Sequence, residues 1–128
     1  TAFETGDSGL FTDTCACRRD PFDDDQSLVI ATEKGLVVVL GCCHAGLINT
    51  LEHVAAKTGR RDIHAIIGGT HLGFCDSQQL EQTVQALKQW KLQKLAVSHC
   101  TGFSAATRLQ REFPAAFQAA QVGYTLVV

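Results

Sequence analysis

Three short segments of the chain each place a histidine directly after a run of apolar residues. The histidines are His44 in GCCHAG, His71 in GGTHL and His99 in SHCTG. Strands of a buried sheet that end at glycine and then present a histidine bring these side chains to one edge, and ligands of open α/β sheets bind at that edge. Three imidazoles converging there predict metal or polar-ligand chemistry.

Each of these histidines also has a structural interpretation. His44 precedes an Ala-Gly pair that leaves room for a ligand, and the next helix offers free N–H groups to an anion. The alternative is an imidazole that bonds only a local carbonyl group. Ser98 and Thr101 flank His99 and could bind phosphate or orient the ring; the alternative is a helix cap with a bystander histidine. His71 follows two glycines and could contact substrate rather than metal.

Cysteines are a second type of candidate ligand, and the chain has six: Cys15, Cys17, Cys42, Cys43, Cys75 and Cys100. No C-x-x-C pair is present, so a structural zinc site is only weakly supported and free thiols are the default expectation. Thiol redox chemistry is another alternative, because a helix N-terminus can lower a thiol pKa at Cys42, Cys43 or Cys100. The acidic run 23–25 could supply a carboxylate ligand, although a solvated loop is favoured.

The apolar pattern predicts the elements that would position these side chains. An irregular lead-in at 1–26 precedes one domain at 27–128 with the order ββαβαβαβ. The expected strands are 27–32, 36–40, 63–67, 94–97 and 124–128. The expected helices run from Leu47 to a stop at Gly59, from the N-cap Asp76 to about Gln93, and from Thr101 or Ser104 to Pro114. This order is typical of a layered α/β fold with helices on one face.

Bulk composition restricts the class of protein. A chain of 128 residues with 45% hydrophobic and 19% charged residues suits one globular domain. A net charge of −2 without an extended basic cluster argues against a nucleic-acid partner. No apolar run reaches the ~20 residues of a membrane span, and no signal-peptide pattern opens the chain. We therefore expect a cytoplasmic location and reduced thiols. The absence of methionine predicts that the chain is a piece of a longer protein.

The blocks DQSLVI, KGLVV and GCCHAGLIN, followed by IIGGTHL and SHCTG, resemble the metallo-β-lactamase superfamily. Within it they are most similar to the branch of dihydropterin-synthase-like proteins and metal-dependent hydrolases. The resemblance covers residues 23–128. It implies an α/β fold that is the C-terminal half of an αββα sandwich, with a mixed sheet and helices on one face.

The same resemblance implies roles for single residues. His99 matches the last metal-ligand histidine of the superfamily, and His44 stands where a second-half ligand, usually aspartate, is found. His71 belongs to the branch's own motif and is expected to face a small-molecule substrate, together with Ser98 and Thr101. The complete protein would bind a divalent metal ion (Zn, Mn or Fe).

The superfamily's main metal-binding motif, H-x-H-x-D-H, is missing from this chain. Two imidazoles alone make a weak, open site, so we expect the isolated chain to be inactive and to bind catalytic metal poorly. A half sandwich also exposes an apolar sheet face, which predicts self-association or docking with the missing half. The competing interpretation is a stand-alone module whose helix N-termini after Gly46 and Gly102 hold a phosphate-bearing small molecule without metal.

Overall fold

The computed structural model describes residues 1–128 and contains five strands and three α-helices. The strands are β1 (Ser27–Thr32), β2 (Gly35–Leu40), β3 (Ile63–Gly69), β4 (Lys94–Ser98) and β5 (Phe117–Ala119). The helices are α1 (Leu47–Thr58), α2 (Ser77–Leu87) and α3 (Phe103–Glu112), with short 3₁₀ turns at Leu72–Phe74 and His99–Thr101. No helix has the length and apolar character needed to cross a membrane.

The strands form one mixed sheet in the order β1-β2-β3-β4-β5. The β1–β2 hairpin is antiparallel, whereas β2, β3, β4 and β5 run parallel to one another. Helical crossovers between parallel strands return the chain to the same end of the sheet each time. The carboxyl ends of β2, β3 and β4 therefore lie side by side, and the mixed α/β architecture predicted from the sequence is confirmed.

All three helices pack on one face of this sheet. Alternate residues of β2 (Leu36, Val38 and Leu40) join a core of 19 buried side chains that includes Leu51 of α1 and Leu109 of α3. β-Branched and aliphatic residues dominate these strands because their side chains suit a buried pleated surface. The single core of the domain thus lies between the sheet and its helical layer.

The opposite face of the sheet carries no helix. On β1 the side chains of Leu28 and Ile30 are 60% and 45% exposed. A shallow cavity on this side is lined by apolar strand residues and by residues 124–126 and 128. Residues 124–128 do not pair as a strand. The prediction of a last strand at 124–128 is therefore wrong.

The fifth strand forms earlier, at Phe117–Ala119, because the chain leaving α3 is held beside β4. Ala116 accepts a hydrogen bond from the Leu95 N–H at 2.8 Å, and Ala120 donates one to Val97 at 2.8 Å. The predicted end of the second helix also differs, since α2 stops at Leu87. After Leu87 the chain forms hydrogen bonds between residues three apart, including the one from Trp90 N to the Leu87 carbonyl. This tighter turn places the Trp90 side chain in the core, where it is 5% exposed.

The lead-in at 1–26 is largely irregular, as predicted, but one of its side chains is part of the domain. Glu4 is 4% exposed, and its carboxylate accepts hydrogen bonds from Ile48 N at 2.9 Å and Asn49 N at 2.6 Å. These are free N–H groups at the start of α1, whose N-cap Gly46 has no side chain to bond them. Glu4 therefore caps α1 from a distance.

We expect Glu4→Gln to lower the free energy of unfolding by about 1–3 kcal/mol. A buried hydrogen bond to a charged acceptor is worth about this much, and an amide leaves one helix N–H group with a poorer partner. Urea unfolding followed by circular dichroism measures the change. Glu33→Gln, at an exposed position in the β1–β2 turn, is the control; equal stability of the two variants would contradict the capping role.

Candidate metal centre

The segments that follow β2, β3 and β4 meet at the carboxyl edge of the sheet, and His71 lies at their centre. Its imidazole contacts the His44 ring edge-on, with ring centroids 4.5 Å apart, and stacks on Phe74 at 4.7 Å. His71 has a left-handed backbone conformation (φ 55°), which few non-glycine residues adopt. Such conformations concentrate at functional sites because the surrounding packing must sustain them.

The two ring nitrogens of His71 have different partners. Nε2 lies 2.8 Å from Oδ2 of Asp7, a residue of the lead-in. This hydrogen bond is the main cause of the lowered pKa of the Asp7 carboxyl, and the Gly9 N–H contributes a second bond. Nδ1 instead lies 3.7 Å from Sγ of Cys42. The imidazole is thus held between a carboxylate and a thiol.

Cys100 completes a cluster that the sequence analysis did not predict. One donor atom from each of Cys42, His71 and Cys100 lies within 4.8 Å of the other two. The main-chain N–H of His71 donates to Sγ of Cys100 at 3.2 Å, and the Cys100 thiol donates to the Cys42 carbonyl at 3.3 Å. The available signal was that Cys42 and Cys100 each stand within two residues of a predicted strand-end histidine.

Burial controls the acidity of the two adjacent thiols. Burial, with a hydrogen bond to Cys100, raises the pKa of Cys42 to about 11, and burial raises the pKa of Cys43 to about 12. Cys43 is also 1% exposed. Burial thus disfavours the thiolate form at Cys42 and Cys43, which argues against redox-active thiols with lowered pKa values at these two positions.

His99 stands next to Cys100 in the 3₁₀ turn that follows β4. It is exposed, and its Nδ1 is 3.1 Å from the Ser98 hydroxyl, so Ser98 orients this ring. The imidazole and the Cys100 thiol approach Gly69 so closely that a Cβ atom there would lie 2.4 Å from Cε1 of His99 and 2.5 Å from Sγ of Cys100. The glycine before the His71 loop thus makes room for both side chains.

Thr101 is placed differently from the substrate contact that was predicted. It is 2% exposed, and its hydroxyl lies 2.9 Å from that of Thr70 while accepting the Thr70 N–H at 3.3 Å. These bonds tie the loop after β3 to the loop after β4. In this structure Thr101 positions the loops, and a contact with substrate would require them to separate.

A cleft of about 290 Å³ opens beside the cluster. His44 and His71 line it, with Asp7 and Ser8 of the lead-in, whereas Ser98, His99 and Thr101 do not. The structure therefore brings two of the three predicted histidines into one cleft. Asp7 is a site residue that the sequence analysis missed, because nothing in residues 1–13 forms a recognisable motif.

The main-chain N–H groups that follow His44 donate hydrogen bonds to carboxylates of the chain itself. Asp25 accepts the Ala45 N–H at 3.0 Å, and Glu4 accepts those of Ile48 and Asn49. Asp25 therefore belongs to a structured contact rather than a solvated loop. At the helix N-terminus after Gly46, the N–H groups of Ile48 and Asn49 already bond Glu4 and are not free to bind an anion. The phosphate-binding alternative therefore keeps only one of its two helix N-termini.

No family model matches the chain, but comparisons with known proteins find relatives that are similar to most of it. Over 104 residues the chain is 36% identical to the 7,8-dihydropterin-6-methyl-4-(β-D-ribofuranosyl)-aminobenzene-5′-phosphate synthase of Methanocaldococcus jannaschii, covering 81% of this chain and 35% of that protein. The crystal structure of Tm1679, a metal-dependent hydrolase of the β-lactamase superfamily, superposes with a TM-score of 0.80 at 35% identity. That match covers 87% of this chain and 43% of Tm1679. The chain thus spans less than half the length of these relatives.

Proposed function

Because the chain belongs to the metallo-β-lactamase superfamily and covers part of its relatives' length, we propose that it supplies one half of the active site of a metal-dependent hydrolase. In this proposal His44 and His99 bind a divalent Zn, Mn or Fe ion. The observation that carries it is the convergence of the loops after β2, β3 and β4, each with a histidine, at one edge of the sheet.

The donor chemistry fits such an ion. Imidazole nitrogen is a suitable ligand for zinc and iron, and the Ser98 hydroxyl bonds Nδ1 of His99, which leaves Nε2 for a metal. When bound, a metal of this kind lowers the pKa of its water towards ~7 and polarises the substrate. The chain contributes His71, fixed by Asp7 and stacked on Phe74, as a ring surface that substrate contacts in the cleft.

The open face of the sheet is the second support for a half site. Leu28 and Ile30 are exposed there on β1, and no helix covers the strands behind them. Covering this apolar surface with the other half of an αββα sandwich, or with a second copy of the chain, would bury it. The proposal therefore includes docking or self-association through this face. A monomeric sedimentation profile at high concentration would exclude self-association.

We expect the isolated 128-residue chain to lack hydrolytic activity, because two imidazoles leave most metal positions without a protein ligand. Phosphate esters are the first substrates to test, since the methanogen relative is named for a dihydropterin that carries a 5′-phosphate. Phosphodiester, cyclic-phosphate and lactam substrates are assayed with each metal ion. Turnover above that of a His99→Ala control would contradict the half-site proposal.

The product of the native gene provides the positive test. If intact mass spectrometry finds a protein of about twice this mass, that protein should hydrolyse a phosphate ester in a metal-dependent manner. His44→Ala or His99→Ala should each lower its activity by about 100-fold or more, because loss of a direct ligand exceeds the 10–100-fold effect of an outer-shell partner. His53→Ala, exposed on α1, is the matched control and should retain activity. Equal effects of all three variants would contradict the assigned ligands.

A further inference from the structure

We propose that Cys42, His71 and Cys100 form a zinc site of their own, with two thiolates and one imidazole as ligands. It shares no ligand with the His44–His99 pair and does not depend on the hydrolytic function. Three separate loops provide its ligands, those that follow β2, β3 and β4. A bound ion would therefore cross-link the carboxyl edge of the sheet within this chain alone.

The spacing of the donor atoms fits zinc. Tetrahedral zinc binds sulfur at about 2.3 Å and imidazole nitrogen at about 2.0–2.1 Å, which places neighbouring donors roughly 3.5–3.8 Å apart. Sγ of Cys42 and Nδ1 of His71 are 3.7 Å apart, and all three donor atoms lie within 4.8 Å of one another. The Cys100 sulfur would therefore have to approach the other two donors by no more than about 1 Å.

The His71 ring is oriented as a metal ligand would be. Its Nδ1 faces the thiol, while its Nε2 bonds the Asp7 carboxylate at 2.8 Å. A carboxylate on the far nitrogen is the usual outer-shell partner of a zinc-bound histidine, because it fixes the tautomer and raises the basicity of the ligand nitrogen.

The surroundings favour a soft metal ion held by thiolates. The main-chain N–H of His71 donates to Sγ of Cys100 at 3.2 Å, and such a bond stabilises the charged sulfur that a metal requires. All three side chains are partly buried, which limits competition from water. Thiolates select zinc over the hard ions Mg²⁺ and Mn²⁺, and three protein ligands leave one coordination position open.

Cobalt titration of the reduced 128-residue chain tests the proposal, because Co²⁺ bound by thiolates gains sulfur-to-metal charge-transfer absorption. The Cys15→Ser/Cys17→Ser variant is the starting protein, since Asp13, Cys15 and Cys17 form a second, exposed group of donors. We expect one cobalt per chain with thiolate absorption, displaced by zinc. Cys42→Ser and Cys100→Ser should each weaken binding by about 100-fold or more, whereas Cys75→Ser should not.

Further variants separate this site from the proposed hydrolytic one. His44→Ala/His99→Ala should keep the thiolate–cobalt spectrum, so failure of the hydrolase proposal leaves it unchanged. His71→Asn, which tolerates the left-handed backbone, should weaken binding, and Asp7→Asn should do so by about 10–100-fold. Absence of thiolate absorption in the starting protein would overturn the proposal, and so would its persistence in Cys42→Ser/Cys100→Ser. The first criterion holds even where a variant fails to fold.

Discussion

Gly68→Ala is expected to lower the free energy of unfolding by about 2–6 kcal/mol. Gly68 has φ 129°, and a Cβ atom there would lie 2.2 Å from the Leu40 carbonyl oxygen of the neighbouring strand. A non-glycine residue in such a conformation costs about 1–3 kcal/mol, and an unrelieved clash costs about 1–3 kcal/mol more. Because the contact is with backbone, only separation of β2 from β3 relieves it. Domains of this size have about 5–15 kcal/mol of total stability.

Gly59→Ala separates the two contributions. Gly59 ends α1 with φ 69°, but nothing lies within 4 Å of the position that its Cβ would take. This control should therefore lose only the about 1–2 kcal/mol of left-handed strain. Urea denaturation of both variants measures the difference. If Gly68→Ala were no less stable than Gly59→Ala, the close approach of β2 and β3 at this point would be wrong.

Gly69→Ala, one residue later, is expected to damage the site and leave the fold in place. Its Cβ would meet side chains of His99 and Cys100 at 2.4–2.6 Å, and side chains can move where a carbonyl in a sheet cannot. Its backbone conformation is also open to alanine, because its φ is not positive. Displacement of both side chains should weaken metal binding at this edge by about 10–100-fold.

Isothermal titration with zinc, beside thermal unfolding without metal, distinguishes these effects. The expected pattern is a nearly unchanged unfolding midpoint with a large loss of zinc affinity. Gly73→Ala is less suitable as a control because its Cβ would meet the Cys100 carbonyl at 2.8 Å. Cys75→Ser serves instead. Unchanged zinc affinity in Gly69→Ala would mean that neither His99 nor Cys100 binds the ion.

The edge of the sheet where the histidines meet was predictable because it depends on local pattern and topology. Apolar runs that stop at glycine predict the buried strands, and parallel strands joined by helices put their carboxyl ends together. Of the two glycines before His71, Gly69 packs closely against His99 and Cys100.

The cysteine cluster could not be predicted in this way. His71 lies 29 residues after Cys42 and 29 residues before Cys100, so no local spacing motif links the three. Their meeting depends on the register of three parallel strands and on the left-handed turn at His71. Motif spacing finds ligand pairs within one turn or hairpin, whereas this group forms only when the sheet is assembled.

Two further differences have the same origin in distant contacts. The last strand is Phe117–Ala119 because main-chain bonds to β4 fix it there, although residues 124–128 have the more strand-like composition. Glu4 caps a helix that begins 43 residues later in the chain, and an isolated glutamate in a polar segment gives no sign of this. Tertiary packing decided both outcomes against local propensity.

The attachment of Glu4 to α1 couples the binding of an ion at His71 to the stability of the first turn of α1. Only two residues lie between Glu4, fastened to the start of α1, and Asp7, which bonds His71. An ion bound through His71 would hold Asp7 more firmly and thus restrain this short stretch from both ends. By thermodynamic reciprocity, the amide hydrogens of Ile48 and Asn49 would then exchange with solvent more slowly in the loaded protein. Hydrogen exchange in the first turn of α1 would therefore show whether an ion is bound at His71.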